Sequence, residues 1–257
     1  LREQRGRDVD NTYNADEYLQ QIMDLGMELR RDEEAAAVSR NAATAEVAAT
    51  SGALMAGAAT WAIRNTSRGA NGVDAVLDGS TGAGGGPTTA PVAGTARGFT
   101  ETLLRSTLKA GWEDGARYDL LMSTGDMIEN IANYMFTSSA RVATLMSDVP
   151  QGNRSNVRSG GSGVVAQGAV NMFIGNFGAV KLVPNMQMTA YTNRVDVLFI
   201  DTRFPQMHYL HNYSKKPLGV SGLYDQEALY VDVTMTPGST YAITNCADVN
   251  PATAMTS

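Results

Sequence analysis

DVLFIDTRFPQMHYLHNYSKKPLGVSGLYDQEALYVDVTMT, residues 196–236, decides the fold of this chain. It closes a β-patterned third that begins near residue 163. Val195–Ile200 is a nearly continuous apolar run, the mark of a short strand covered on both faces. An Arg-Phe-Pro corner at residues 203–205 follows, and Lys215-Lys216-Pro217-Leu218 reads as a turn. Beyond it Leu229, Val231, Val233 and Met235 alternate with Tyr230, Asp232 and Thr234, which gives a long strand with one packed and one polar face. Upstream, Val170, Met172 and Ile174 alternate, Gly175-Asn176-Phe177-Gly178 supplies a turn, and residues 180–184 return as the second arm of a hairpin.

The first half is helical in pattern. Asn14, followed by Asp16 and Glu17, is a helix start, because Asn accepts backbone N–H bonds and carboxylates suit the positive end of the helix. Leu19, Ile22, Gly26, Leu29, Glu33, Ala36 and Arg40 then recur at three- and four-residue steps and define one face of a helix running to about Ala43. At ~1.5 Å per residue such a helix is on the order of 40 Å long, more than a compact domain of this size requires. Arg30, Arg31, Asp32, Glu33 and Glu34 form a mixed-charge band along it. The band reads either as solvated surface or as a subunit contact, and Arg30, Arg31, Asp32 and Glu34 are the residues expected to make that contact.

Further on, Thr100 is an N-cap, Glu101 sits in the first turn, and Phe99 and Leu104 form a hydrophobic staple. Leu104, Leu108 and Trp112 share the expected inward face until Gly115 ends the helix. Residues 118–122 read as a short buried strand. Ser123 and Asp126 have capping-box spacing for another helix with Met127, Ile128, Ile131 and Met135 inward. Helices early and strands late make the chain α+β.

Composition excludes several functions. Charged residues are 18% of the 257, below the roughly 25% usual for soluble domains. That suits a protein that hides surface against neighbours. A net charge of −6 argues against sequence-independent binding of nucleic acid, which draws its affinity from neutralising phosphate. The single Cys246 cannot pair within the chain, and His208 and His211 are too few for a zinc cage. No apolar run approaches the ~20 residues that span a bilayer. No cofactor or metal is expected, and no membrane partner.

Residues 65–98 are the loosest by composition, centred on Gly-Ala-Gly-Gly-Gly-Pro at residues 82–87. A phosphate-cradling loop follows a strand and opens into a helix, and residues 82–86 do neither. A second polar stretch, residues 151–163, reads as a loop, with Arg154 and Arg158 as its basic members.

GMELRRDEEAAAVSRNAA at residues 26–43, WAIRNTSRGANG at 61–72, FTETLLRSTLKAGWEDG at 99–115, NFGAVKLVPNMQM at 176–188 and DVLFIDTRFPQMHYLHNYSKKPLGVSG at 196–222 occur in that order. Together they resemble the major capsid proteins of tailed bacteriophages of the SU-ten type, which have the Hong Kong 97-type fold. Two departures stand out: His211-Asn212, where the family pattern commonly has a basic residue and a proline, and Ser221-Gly222-Leu223, where it has a Thr-Gly-Asp turn.

The resemblance implies a peripheral domain with the spine helix over residues 1–60, a flexible glycine-rich excursion over 61–98, an axial α/β domain over 99–222, and a returning peripheral strand and C-terminal tail over 223–257. It further implies pentamers and hexamers that close into an icosahedral head in the host cytoplasm around double-stranded DNA, with portal, scaffold and decoration proteins as further partners. An upstream arm and two-stranded loop are expected to precede Leu1. One alternative keeps the fold as an encapsulin-like compartment shell. Another makes the chain a metal-dependent enzyme built on Asp201, His208 and His211, the two histidines meeting on a turn. Cys246, read as lying near a polar terminus without a basic neighbour, is expected to have no function.

Overall fold

The computed structural model describes residues 17–47, 52–77, 86–137, 172–188, 193–221 and 224–256. The helix start at Asn14, residues 82–85 of the glycine-rich run, the loop with Arg154 and Arg158, and Val170 lie outside them, as does the side chain of Met135. Described helices are α1 (Glu17–Val38), α2 (Ala58–Trp61), α3 (Glu101–Glu113) and α4 (Gly125–Thr137). Described strands are β1 (Val76–Leu77), β2 (Pro87–Thr89), β3 (Leu120–Ser123), β4 (Met172–Gly175), β5 (Gly178–Pro184), β6 (Val195–Ile200), β7 (Gln206–Ser221), β8 (Tyr224–Thr236) and β9 (Ile243–Val249). The chain is α+β.

Five strands form one sheet in the order β4-β5-β3-β6-β9. β3 runs parallel to β5, and the other neighbours are antiparallel. The β4–β5 hairpin turns at Asn176 and Phe177, as the sequence pattern requires. On one face α3 and α4 bury Phe99, Leu104, Leu108, Met127 and Ile131 against Leu121, Phe173, Val180, Leu182, Val197 and Phe199. On the other face, Leu198 and Ile243 pack with Ala58, Ala59 and Ala62 of the α2 segment and with Met235. Both faces of β6 are therefore covered, which explains its unbroken apolar run.

Thr100 caps α3 by accepting the Leu103 N–H, and the helix stops at Asp114 before Gly115, whose φ of +88° suits a glycine. Two details differ from the sequence pattern. Trp112 is 56% exposed, because the buried row of α3 runs through Leu104, Leu108 and Gly111, where the Tyr118 ring lies against the glycine. Trp112 leans instead on Phe177, ring centroids 5.8 Å apart. Ser123 does not cap α4. It is the last residue of β3, buried, and its hydroxyl donates to the Asp196 carbonyl at 2.7 Å, so Thr124 stands before the helix.

β7 and β8 form a separate antiparallel hairpin. Lys215-Lys216-Pro217-Leu218, expected as a turn, lies inside β7, with Pro217 opposite Glu227. A two-stranded ribbon tolerates proline, because each strand has one edge with no ladder to donate to. The register shifts between Tyr209 and His211, between His211 and Ser214, and between Leu218 and Ser221. The base of the hairpin, through Met207 and Met235, joins Val38 at the end of α1 in the second core cluster.

The described legs of the glycine-rich excursion are tied to the sheet. Ser67 exchanges backbone hydrogen bonds with Asn245 and Ala247, and Arg97 with Asp248 and Asn250, so both legs border β9. Asp248 Oδ2 accepts the N–H of Gly69 at 3.2 Å and of Gly94 at 2.8 Å. A Cβ on Gly69 would strike the backbone of Thr95, and one on Gly94 the backbone of Gly69, so only glycine lets the legs approach this closely.

Candidate functional site

The expected contact band lies on α1, and the fold divides its residues into two groups. Ile22, Gly26, Leu29, Glu33 and Ala36 form the half-buried row. Leu19, expected on the same face, is exposed. The helix ends at Val38 rather than near Ala43. The Ser39 hydroxyl donates to the Ala36 carbonyl at 2.8 Å and accepts the Asn41 N–H at 3.1 Å, which turns the chain out of the helix.

Glu33 carries the polar contact between α1 and the hairpin. Its two carboxylate oxygens accept the hydroxyls of Tyr209 and Tyr213 on β7. The Arg30 guanidinium lies over the Tyr213 ring, 5.5 Å from its centroid, and the two tyrosine rings are 6.3 Å apart. Ionising Tyr209 would break its hydrogen bond to the Glu33 carboxylate and set two negative charges together. Its pKa is therefore pushed up to about 12, and Tyr213 is raised for the same reason. Glu34 accepts from the Asn185 amide at 2.8 Å, just past the end of β5. The helix is thus fastened to both the hairpin and the sheet.

Of the four expected contact residues, Arg30 and Glu34 are engaged within their own subunit. Arg31 and Asp32 are exposed, and neither side chain has a hydrogen bond or ion pair among the described residues; the same holds for Asp24 and Glu28 on the solvent side of the helix. Four large apolar side chains share that exposure: Leu19, Met23, Leu25 and Met27, with Met23 at 61% and Met27 at 52%. The face count that identified the inward row carried this signal too, since Met23 and Met27 fall off that row. The hairpin adds Leu210, 82% exposed, and Leu218.

Asp201, His208 and His211 do not come together as a metal-ligating group. His208 and His211 lie along β7 and not on a turn. His208 Nε2 stands 2.9 Å from Thr236 Oγ1 and His211 Nδ1 stands 2.6 Å from Asp232. Asp201 is buried and holds Arg203 and the Arg117 N–H. Among the described residues no three of His, Cys, Asp and Glu converge. Cys246 lies inside β9, fully buried in the sheet core, with its sulfur 3.1 Å from Thr107 Oγ1. This corrects its placement near a polar terminus. Arg97 is near enough to pull its pKa down, but burial outweighs that and pushes the thiol up to about 11.

A long helix is locked to a hairpin, with charges that are unpaired among the described residues and exposed methionines on its solvent side. The family model of the SU10 major capsid protein matches residues 6–249. No curated protein matches the chain. By the family match, which spans nearly its whole length, the chain belongs to the SU10 major capsid protein family.

Proposed function

We propose that the chain assembles, in the host cytoplasm, into pentamers and hexamers of an icosahedral head of the Hong Kong 97 type that encloses double-stranded DNA. Membership of a major capsid protein family makes it a structural component of the phage capsid, built as a homo-oligomer. In this reading α1 is the spine. Residues 1–60 and 223–257 supply the peripheral parts, residues 99–222 the axial domain, whose five-stranded sheet β9 of the C-terminal part completes at one edge, and residues 61–98 the excursion between them. Portal, scaffold and decoration proteins are its further partners.

The observation that carries the reading is the solvent side of α1. The helix is 22 residues long, and beyond the contacts that fasten it to its own subunit it presents Arg31 and Asp32, unpaired among the described residues, beside exposed methionines. Charge pairs at such a surface are individually weak, but a shell repeats each of them in every copy. Arg31→Glu tests the reading. It should lower the yield of particles on sedimentation while the unassembled chain keeps its far-UV circular dichroism. Normal yield from Arg31→Glu together with Asp32→Lys would remove the band from the contact surface.

A further inference from the structure

We infer that α1 docks against the α1 of a second copy of this chain, antiparallel, across a two-fold axis near Met27. The inference rests on the proposed role of α1 as a subunit contact and names its partner. At 3.6 residues per turn, Gln20, Asp24, Met27 and Arg31 follow one another along the side opposite Ile22, Gly26, Leu29 and Glu33. The inward row is half-buried, and the hairpin tyrosines hold its Glu33; on the outward row Asp24, Met27 and Arg31 are exposed. Met27 lies midway along the outward row. A thioether is soft and unbranched, so it packs against a copy of itself without a preformed pocket.

The charges choose the direction. Asp24 lies about 4.5 Å before Met27 along the helix axis and Arg31 about 6 Å after it. Both are exposed, and neither has an ion-pair partner among the described residues. A parallel copy would set Asp24 on Asp24 and Arg31 on Arg31. An antiparallel copy centred on Met27 sets Asp24 of each helix beside Arg31 of the other, two complementary pairs from one surface. Such a self-complementary patch is what a two-fold, isologous contact requires. Met23, also exposed, then lies against the aliphatic stem of the other copy's Arg31.

Cross-linking in particles assembled from the full chain tests this. Packed helices about 8–10 Å apart bring facing Cα atoms within the range of a disulfide, and buried Cys246 does not compete. Met27→Cys should shift the subunit from the monomer to the dimer band on mild oxidation. Asp24→Arg and Arg31→Asp should each cut particle yield about tenfold, and the two together should restore it, as the two-fold pairing demands. Suppose instead that Met27→Cys stays monomeric alone but cross-links in particles mixed with Leu210→Cys. Then α1 touches a neighbour's hairpin, and the two-fold inference falls while the contact role stands. If Met27→Cys forms no cross-link in either experiment and the charge reversals leave the yield unchanged, both fall together.

Discussion

Arg40 forks onto Asp196 across 156 residues of sequence, its Nε and Nη2 each 2.6 Å from a carboxylate oxygen. Asp248 Oδ1 stands 3.9 Å from the same Nη2. One guanidinium just past α1 therefore faces two buried acids, one from β6 and one from β9. Asp248, at φ 62°, also holds both legs of the excursion. The helix, the sheet and the excursion meet at this point.

Removing the cation would leave two carboxylates buried without it. Arg40→Met should cost about 3–5 kcal/mol of stability. Arg40→Lys should recover little, because an ammonium cannot fork. Urea denaturation of the unassembled chain measures both; a loss below about 1 kcal/mol for Arg40→Met would show that the pair does not hold the fold together.

Glu33 should be what keeps the hairpin on the helix. In Glu33→Ala, Tyr209 is expected to titrate near the ordinary 10.0 instead of about 12, and amide exchange along β7 and β8 should speed up. Ultraviolet titration of the tyrosines and hydrogen exchange read the two effects. An unchanged titration would mean that the carboxylate does not govern Tyr209.

Asp201 ties the start of the Arg-Phe-Pro corner to Arg117. Burial raises its pKa, but hydrogen bonds from the Arg203 side chain and the Arg117 and Arg203 backbones outweigh this, so the folded value lies below 3.8. Its contribution is then complete above 3.8 and lost as pH falls through the lower folded value. Asp201→Asn should be less stable than the native chain at neutral pH, and the gap should close under acid. A gap that widens on acidification would reverse the sign of this linkage.

Cys246, with its thiol pushed up to about 11, should resist alkylation at pH 8 in the folded chain and react fully once unfolded. The raised folded value also stabilises below the unfolded value of 9.0 and is lost as pH rises through about 11. Rapid labelling of native particles would place the thiol at an open surface.

Much of this architecture was legible where a pattern had one cause. The staple of Phe99 and Leu104, the hairpin at Asn176-Phe177 and the alternation along β8 follow directly from periodicity and capping. β9 was not legible. Thr244, Asn245 and Asp248 break its apolar run; Thr244 and Asp248 are tolerated because Arg64, Gly69 and Gly94 come from far along the chain to bond them. Pro217 misled because a turn and the open edge of a ribbon suit proline equally. In the charge band, sequence could not separate Arg30 and Glu34, which bind Tyr213 and Asn185 at home, from Arg31 and Asp32, which do not. That division depends on which elements the helix lies against.

Cryo-electron microscopy of the particles the chain forms tests the shell reading most directly. Closed icosahedral shells of pentamers and hexamers are expected, with α1 at a boundary between subunits and double-stranded DNA in filled heads. A chain that stays monomeric, or shells in which α1 meets no neighbouring copy, would contradict the account.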